Sequence, residues 1–318
     1  MVKGTKERSV QPAHRKLWSG LACDKEGSDI GILGVPFDGA TSFRKGASFA
    51  PSKIRELTPH VSPFTEQGES LAGLCVRDYG DVPADLDWVR YFETVEKHAR
   101  QVFDHRMALF LGGDHSVTIP LARAFSSETK GILGMLHIDA HLDLADTFDG
   151  SHWSHACTQR RVLDLPNIDT DHLVFVGIRS FMADELSFLK EHPEIAVNTA
   201  YDVHTSGISS VARAVVNELR EVDALYVTLD IDCLDPAFAP GTGTLEAGGL
   251  STREVLELLR YVFLELPVLA MDIVEVSPPL DHSDITSMAA IKVIYEMFGW
   301  VRSSTCNQGG LSGKNSRI

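Results

Sequence analysis

The sequence predicts an α/β protein, a three-layer α/β/α sandwich built around an eight-stranded parallel sheet. Eight short apolar segments, mostly bounded by turn residues, predict strands along the whole chain. Most of them are near-continuous hydrophobic runs, which is typical of parallel strands covered on both faces. Helical patterns lie between many of these segments, as the layered architecture requires.

The predicted elements follow in chain order. The strands are Asp29–Phe37, Val76–Val82, Ala108–Asp114, Gly134–His141, Leu173–Ser180, Val197–Val203, Ala224–Asp232 and Val268–Ser277. Apolar residues at helical spacing predict helices at Trp88–Phe103, Val117–Phe125, Ser209–Leu219, Glu254–Leu264 and Thr286–Phe298. Ser251 or Thr252 is suited to cap the fourth of these helices.

No repeat, linker or change of composition divides the chain. We therefore expect one domain over residues 1–318, with mobile tails at about 1–25 and 304–318. The N-terminus lacks the apolar core of a secretory signal, and no run of ~18 apolar residues predicts a transmembrane helix.

Charge and cysteine content limit the classes of partner and compartment. A formal charge of −15 makes the chain a poor candidate for nucleic acid or an anionic membrane, but is compatible with a cationic small molecule. The cysteine count is odd and contains no C-x-x-C pair, which indicates a reducing, cytoplasmic compartment. The cysteines are Cys23, Cys75, Cys157, Cys233 and Cys306.

Acids and histidines cluster where four predicted strands end. They are Asp114 and His115 after the third strand, His137, Asp139, His141 and Asp143 along the fourth, Asp230, Asp232 and Asp235 at the seventh, and Glu275 at the eighth. Ligands of open α/β sheets bind beyond the carboxyl ends of the strands. We therefore expect most of these side chains to share one site.

Carboxylates and imidazoles without thiolates suit Mn²⁺, Fe²⁺, Ni²⁺, Co²⁺ or Zn²⁺. The candidate ligands are His115, Asp139, His141, Asp143, Asp230 and Asp232. They outnumber the roughly three protein ligands of a catalytic zinc. They are suited to two ions about 3.5–4 Å apart, which can activate a water at neutral pH.

Other polar residues near these motifs have simpler interpretations. His137 lies deeper in its strand and is expected to be a hydrogen-bonded core histidine. Asp235 precedes a proline and is expected to fix a turn, while Asp114 either orients the adjacent histidine or caps a loop. Cys157 and Cys233 are expected to be packing thiols, because no free base is specified beside either one.

As a set, the motifs resemble those of the ureohydrolases, the arginase, agmatinase and formiminoglutamase family. They are G-G-D-H-S (112–116), H-I-D-A-H-L-D (137–143), S-H-A (154–156), T-L-D-I-D-C-L-D-P (228–236), P-G-T-G-T (240–244), G-G-L (248–250) and V-E-V-S-P (274–278). The resemblance covers roughly residues 29–300. It implies the arginase-like fold, a binuclear manganese centre and assembly into a homotrimer or hexamer.

The resemblance also implies roles for the ligands, which would hold two Mn²⁺ per chain, with Ni²⁺ or Co²⁺ as alternatives. His115 and Asp143 would bind one ion, and His141 and Asp232 the other. The remaining two acids, Asp139 and Asp230, would bridge both ions.

Two residues match the family's catalytic groups, and the chemistry of the site gives a third residue a catalytic role. Glu275 matches the acid that holds the guanidinium, and His155 matches the mobile proton-shuttle histidine. Asp143 is placed to deliver a proton to the leaving amine. Two positions depart from the commonest family pattern, since Ala156 stands where many relatives have Gly and Leu245 where agmatinases often have Pro.

The expected activity is hydrolysis of a linear guanidino compound to urea and an amine, with agmatine, which yields putrescine, as the leading substrate. Alternatives in the class are guanidinobutyrate or guanidinopropionate hydrolase, formiminoglutamase, arginase and guanidine hydrolase. Trp153 would either pack on a substrate chain or anchor its loop, and His152 is a further candidate substrate contact. Arg179 would either bind a substrate carboxylate or brace the loop or a subunit contact.

Two further classes of protein are alternatives to the ureohydrolases. A mononuclear zinc amidohydrolase of the deacetylase type needs only one metal, so the full ligand set argues against it. A non-catalytic metal-binding protein would be expected to lack a ligand or both His155 and Glu275, and the sequence retains all of them.

Overall fold

The strands form a single parallel sheet. The computed structural model describes residues 16–25 and 27–309, and within them eight strands lie in the order β2-β1-β3-β8-β7-β4-β5-β6. They are β1 (Ile30–Gly34), β2 (Val76–Asp81), β3 (Met107–Leu111), β4 (Leu133–Ile138), β5 (Leu173–Ile178), β6 (Ala196–Thr199), β7 (Ala224–Asp230) and β8 (Val268–Val274). The predicted sandwich with an eight-stranded parallel sheet is confirmed.

Helices cover both faces of this sheet. They are α1 (Ala50–Leu57), α2 (Trp88–Arg100), α3 (Thr118–Glu128), α4 (Thr158–Val162), α5 (Ala183–Glu191), α6 (Ala200–Ser206), α7 (Ile208–Glu218), α8 (Thr252–Glu265) and α9 (Ile285–Gly309). Alternate strand residues enter two separate cores: Ile32 packs in the core with α1, α7, α8 and α9, whereas Leu33 packs in the core with α2 and α3. This division explains the continuous apolar runs of the strands.

Ser251 is the cap predicted for α8, and Glu254 completes a reciprocal capping box with it. The sixth predicted strand was too long, because β6 ends at Thr199 and α6 begins at Ala200. The Thr199 hydroxyl accepts a hydrogen bond from the backbone N–H of Asp202, and the Asp202 carboxylate accepts one from the backbone N–H of Thr199. This local capping box ends the strand earlier than its apolar pattern suggested.

Part of the predicted N-terminal tail is packed against the body. Trp18 is fully buried and donates from Nε1 to Asp78 Oδ2 at 2.8 Å. Cys23 and Cys75 form a disulfide with a Cα–Cα distance of 5.5 Å, which differs from the expectation of reduced cysteines. The remaining predicted tail residues, 1–15 and 310–318, and the side chain of Cys306 lie outside the description.

No helix in the described part of the chain is long and apolar enough to cross a membrane.

The strand order determines where the site forms. The motif-bearing strands β3, β8, β7 and β4 are consecutive neighbours in the middle of the sheet, although they are far apart in sequence. Because all strands are parallel, their carboxyl ends meet at one edge. Every motif rich in acids and histidines therefore opens onto the same place.

Candidate metal centre

The first group of candidate ligands surrounds one nitrogen of His115. Its Nδ1 lies 3.0 Å from Asp139 Oδ2, 3.1 Å from Asp143 Oδ2 and 3.2 Å from Asp230 Oδ2. All four side chains are buried. One imidazole nitrogen and three carboxylate oxygens at this spacing form a donor set suited to a cation such as Mn²⁺.

A second group of candidate ligands lies around His141, which belongs to the same sequence motif as Asp139. Its Nδ1 is 3.3 Å from Asp139 Oδ1 and 3.2 Å from Asp232 Oδ2. Asp139 therefore belongs to both groups, with Oδ2 near His115 and Oδ1 near His141. In this arrangement one carboxylate can be shared by two neighbouring ions.

The acids and histidines strongly perturb one another. Burial, reinforced by Asp139, raises the pKa of Asp232 to about 6. Burial, reinforced by Asp232, raises the pKa of Asp230 well above its usual range. Burial alone would lower the pKa of His141, but the carboxylates of Asp232 and Asp139 raise it to about 12. The cluster as a whole favours added positive charge.

Two buried atoms at the centre of the cluster have no hydrogen-bond partner among the described atoms. They are His115 Nδ1 and Asp139 Oδ2. Buried polar atoms normally have a partner, and a missing one indicates an ion or water. A metal ion would satisfy both atoms, so the residues present fit a two-metal centre.

Two residues of the site have left-handed backbones, a conformation that side chains other than glycine rarely adopt. The φ angle is +52° at Asp143 and +61° at Glu275. Such conformations cost of order 1–3 kcal/mol and are concentrated at functional sites. The two angles aim these carboxylates into the site at the ends of β4 and β8, a feature that no sequence pattern revealed.

Glu275 and His155 face each other at the edge of the cluster. Glu275 Oε1 accepts a hydrogen bond from the backbone N–H of His115 at 3.0 Å and lies 3.6 Å from His155 Nδ1. Although burial opposes it, the Glu275 carboxylate raises the pKa of His155 to about 9.

Ser42 contacts the other side of His155 and was not identified from the sequence. Its hydroxyl lies 2.9 Å from His155 Nε2, and its backbone nitrogen lies 3.3 Å from the same atom. Ser42 follows β1, so its position after a predicted strand was the available signal. Nothing in the spacing connects it with a histidine more than a hundred residues later.

Asp114 acts as a loop cap, the second of its two predicted roles. Its Oδ1 accepts from the backbone N–H of Ser116 at 3.1 Å, and its Oδ2 accepts from the backbone N–H of Ala40 at 2.8 Å. The carboxylate therefore fastens the loop that carries Ser42 to the end of β3.

His137 is buried, as predicted, but it touches the cluster of candidate ligands. Its Nε2 donates to the backbone oxygen of His141 at 3.0 Å and lies 3.0 Å from Asp139 Oδ2. Its ring stacks on that of His115 with centroids 5.0 Å apart. Because its Nε2 hydrogen is donated to the His141 backbone oxygen, His137 helps to hold the neighbouring candidate ligands in position.

Asp235 fixes the turn that follows β7, as expected. Its carboxylate accepts hydrogen bonds from the backbone N–H groups of Ala237, Gly248 and Gly249.

The thiols near the motifs are buried and free. Burial, reinforced by nearby acids, raises the pKa of Cys157 to about 11 and that of Cys233 well above its usual range. Protonated thiols are poor nucleophiles, which supports their interpretation as packing residues.

A cavity of about 220 Å³ opens over the cluster. Its lining is acidic around the candidate ligands and apolar further out, and the described residues that form it include no Lys or Arg. The lining residues are Ser42, His141, Asp143, Phe148, His155, Ala156, Ser180, Phe181, Met182, Glu185, Asp230, Asp232, Thr244, Glu246 and Glu275. A cavity of this volume suits a small molecule.

Trp153 and His152, the candidate substrate contacts, are not among the described residues that line this cavity. Trp153 packs edge-on against Phe92 and beneath the Arg123 guanidinium, so it anchors its loop. His152 is exposed, and its Nδ1 lies 2.8 Å from the backbone oxygen of Asp146. The apolar part of the cavity comes from other loops, which sequence spacing did not connect with the site.

Arg179 braces a loop, the second of its two predicted roles. Its guanidinium donates to the backbone oxygens of Asp232 and Glu246, each at 2.7 Å, and to that of Gly177. These bonds hold the Glu246 segment beside β7.

Comparisons with known proteins agree with this geometry. The model of the arginase family matches residues 28–299. Agmatinase from Bacillus anthracis is 35% identical over 284 residues, covering 87% of this chain and 93% of the relative. Proclavaminate amidinohydrolase from Streptomyces clavuligerus is 36% identical over 280 residues, covering 85% and 87%. The crystal structure of formimidoylglutamase from Bacillus subtilis matches with a TM-score of 0.84 at 30% identity, covering 94% and 96%.

Proposed function

The chain belongs to the arginase family, the ureohydrolases, and from this premise we propose that it hydrolyses agmatine to urea and putrescine at a binuclear manganese centre. Its relatives are hydrolases of C–N bonds in amidines, and the family depends on two metal ions. To these shared properties of the family, the proposal adds manganese as the metal, the ligand residues and agmatine as the substrate.

The observation that carries the proposal is the position of Asp139. Its two oxygens lie 3.0 Å and 3.3 Å from the Nδ1 atoms of His115 and His141, respectively. The residues that would hold the metals are His115, Asp139, His141, Asp143, Asp230 and Asp232. When bound, two such ions lower the pKa of a water and stabilise charge that develops on the substrate.

The remaining residues bind the guanidinium and move protons. The Glu275 carboxylate, held by the His115 backbone, can pair with the planar guanidinium through two hydrogen bonds. His155 faces Glu275, whose carboxylate raises the pKa of the imidazole, and it lines the cavity, where it can give a proton to the leaving amine. Asp143 is the second candidate for this transfer, because its carboxylate lies within the ligand group and lines the cavity.

The charge of the cavity favours agmatine over guanidino acids. Its described lining carries acids and no Lys or Arg, and Glu246 lies at the exposed side with 38% of its side chain accessible. Two arginines lie beside the cavity, and both donate to backbone oxygens: Arg179 to Asp232 and Glu246, and Arg44 to Gly243. A substrate whose far end is an ammonium group meets favourable charge there, whereas a carboxylate meets repulsion.

A urea-release screen with added Mn²⁺ or Ni²⁺ tests the proposal. The compounds are agmatine, arginine, guanidinobutyrate, guanidinopropionate and guanidine, with formiminoglutamate followed by formamide release. We expect the highest kcat/KM for agmatine with Mn²⁺. A higher value for a guanidino acid would contradict the substrate, and no turnover of any compound would contradict the activity.

We also propose a homo-oligomer, a trimer or hexamer, located in the cytoplasm. The family relationship supports the assembly. The acidic charge supports the compartment, although the Cys23–Cys75 disulfide departs from the reduced cysteines expected there. Light scattering of the purified chain tests the assembly, with a monomer as the contradicting result. Fractionation of the source cells tests the compartment.

A further inference from the structure

A buried carboxyl group lies behind the candidate metal centre and has no role in the proposed reaction. Asp272, in the middle of β8, is fully buried. Its Oδ2 accepts from the hydroxyls of Thr118 at 2.7 Å and Tyr226 at 2.8 Å, and its Oδ1 accepts from Thr228 Oγ1 at 2.6 Å. Three hydroxyl donors converge on one carboxylate, as expected for a buried charge.

One of these donors leads directly to a candidate metal ligand. Thr228 Oγ1 lies 2.8 Å from His115 Nε2, and all the atoms in this connection are buried. Thr228 and Asp272 are cross-strand partners of β7 and β8, which places both side chains on the same face of the sheet. The chain of contacts therefore runs from Asp272 through Thr228 to His115.

The direction of these hydrogen bonds follows from counting hydrogens. A threonine hydroxyl has one hydrogen, and here it is donated to Asp272 Oδ1. Thr228 Oγ1 can then only accept from His115, so His115 Nε2 must carry a hydrogen. Nδ1, the atom that faces the three carboxylates, is left as the nitrogen that can give up its proton to a metal.

We propose that Asp272 is a positioning residue of the metal centre, which acts through Thr228 to keep His115 in the tautomer whose Nδ1 binds metal. This inference rests on the proposed binuclear centre and adds a residue that the family motifs did not include. A carboxylate connected in this way to the nitrogen that faces away from the metal also makes the imidazole a stronger metal ligand.

The proposal predicts a selective effect of removing the carboxylate. Without Asp272, the Thr228 hydroxyl has His115 Nε2 as its neighbouring acceptor and can stabilise the wrong tautomer. The ion on the His115 side should then bind about 10–100-fold more weakly, the usual effect of losing an outer partner of a ligand. The ion on the His141 side should be little changed.

The experiment is a titration of the metal-free full-length chain with Mn²⁺, with free Mn²⁺ measured by electron paramagnetic resonance. Asp272→Leu is compared with wild type and with Tyr226→Phe. The control variant removes another donor to Asp272 but leaves the connection to His115 intact. In Asp272→Leu we expect one of the two Mn²⁺ ions to bind more weakly. In Tyr226→Phe we expect both ions to bind with wild-type affinity.

A second pair of variants keeps the test decisive if Asp272→Leu does not fold. Thr228→Val removes the connecting hydroxyl with little change of shape, and Thr228→Ser retains it. We expect a single weakened ion in Thr228→Val and recovery in Thr228→Ser. Wild-type affinity for both ions in Thr228→Val would overturn the proposal, as would equal weakening in Tyr226→Phe and Asp272→Leu.

This readout is independent of the substrate. A wild-type chain that binds two Mn²⁺ but hydrolyses no guanidino compound would contradict the proposed function, while the Mn²⁺ titrations would still decide the role of Asp272.

Discussion

The two candidate ligand histidines lie in contrasting surroundings. The His115 side chain is 1% exposed, stacks on His137 and connects through Thr228 to a buried carboxylate. The His141 side chain is 25% exposed and lines the cavity, and the closest acid to its Nε2 is Glu246 at 4.0 Å. That distance is too long for a direct hydrogen bond.

The difference separates two tasks that a catalytic metal centre must perform. The His115 side is fixed by groups that cannot move without disturbing the core, so it is suited to hold its ligands in place. The His141 side is more open to solvent and leaves access to the cavity, where Glu275 would hold the substrate. Asp139 joins the two sides, because one of its oxygens belongs to each.

Removing the shared carboxylate should have the largest effect. Asp139→Ala takes one ligand from each side, and we expect both ions to bind poorly and turnover to fall by more than about 10³-fold. Metal analysis and urea release measure the two effects. Asp235→Asn is a matched control in a neighbouring motif, since Asp235 holds only backbone groups. Retained turnover in Asp139→Ala would show that the two sides are not joined.

Changing His155, the proposed proton-transfer residue, should slow turnover without changing the amount of metal bound on either side. We expect kcat of His155→Ala to fall by about 100-fold, within the usual range for a general acid. Ser42→Ala removes one hydrogen bond to His155 and should lower kcat only about 3–10-fold. Loss of bound metal in His155→Ala would instead make His155 a ligand.

The pH dependence of metal binding should show whether His141 binds a metal ion. The pKa of His141 is raised to about 12 in the metal-free chain, so a metal must displace its proton at neutral pH. Apparent affinity should therefore rise with pH, about tenfold per unit for each displaced proton. In His141→Asn the slope should fall by about one proton. An unchanged slope would show that His141 does not bind metal.

The smallest effect is expected at the exposed acid of the open side. Glu246→Gln should raise the KM for agmatine about fivefold, because exposed ion pairs contribute up to ~1 kcal/mol. Affinity for Mn²⁺ should stay unchanged. A similar change in KM for guanidine, which has no far end, would show that Glu246 acts on the metal side and not on the substrate tail.

The same contrast explains how much the sequence could predict. The strands and the candidate ligands follow from apolar runs and from polar residues at their ends, which are local features. The order of the strands is not local, so the residues alone do not show that β3, β8, β7 and β4 are neighbours. The resemblance to ureohydrolases indicated that their motifs share one site, and the structure shows the strands side by side.

Residues that act through backbone shape or through a second residue were beyond the sequence. The left-handed conformations of Asp143 and Glu275 depend on the packing of their loops. Asp272 lies inside a strand as a single acid between apolar residues, with no motif around its contact with Thr228. The lining of the cavity comes from separate loops, so the sequence left open whether Trp153 contacts a substrate or anchors its loop, and its packing on Phe92 shows the second.

The number of Mn²⁺ ions bound per chain at saturation tests the central claim most directly. It is measured by metal analysis of the full-length chain after removal of excess ion. The account predicts two ions per chain, with both lost from Asp139→Ala. One ion or fewer per wild-type chain at full occupancy would contradict it.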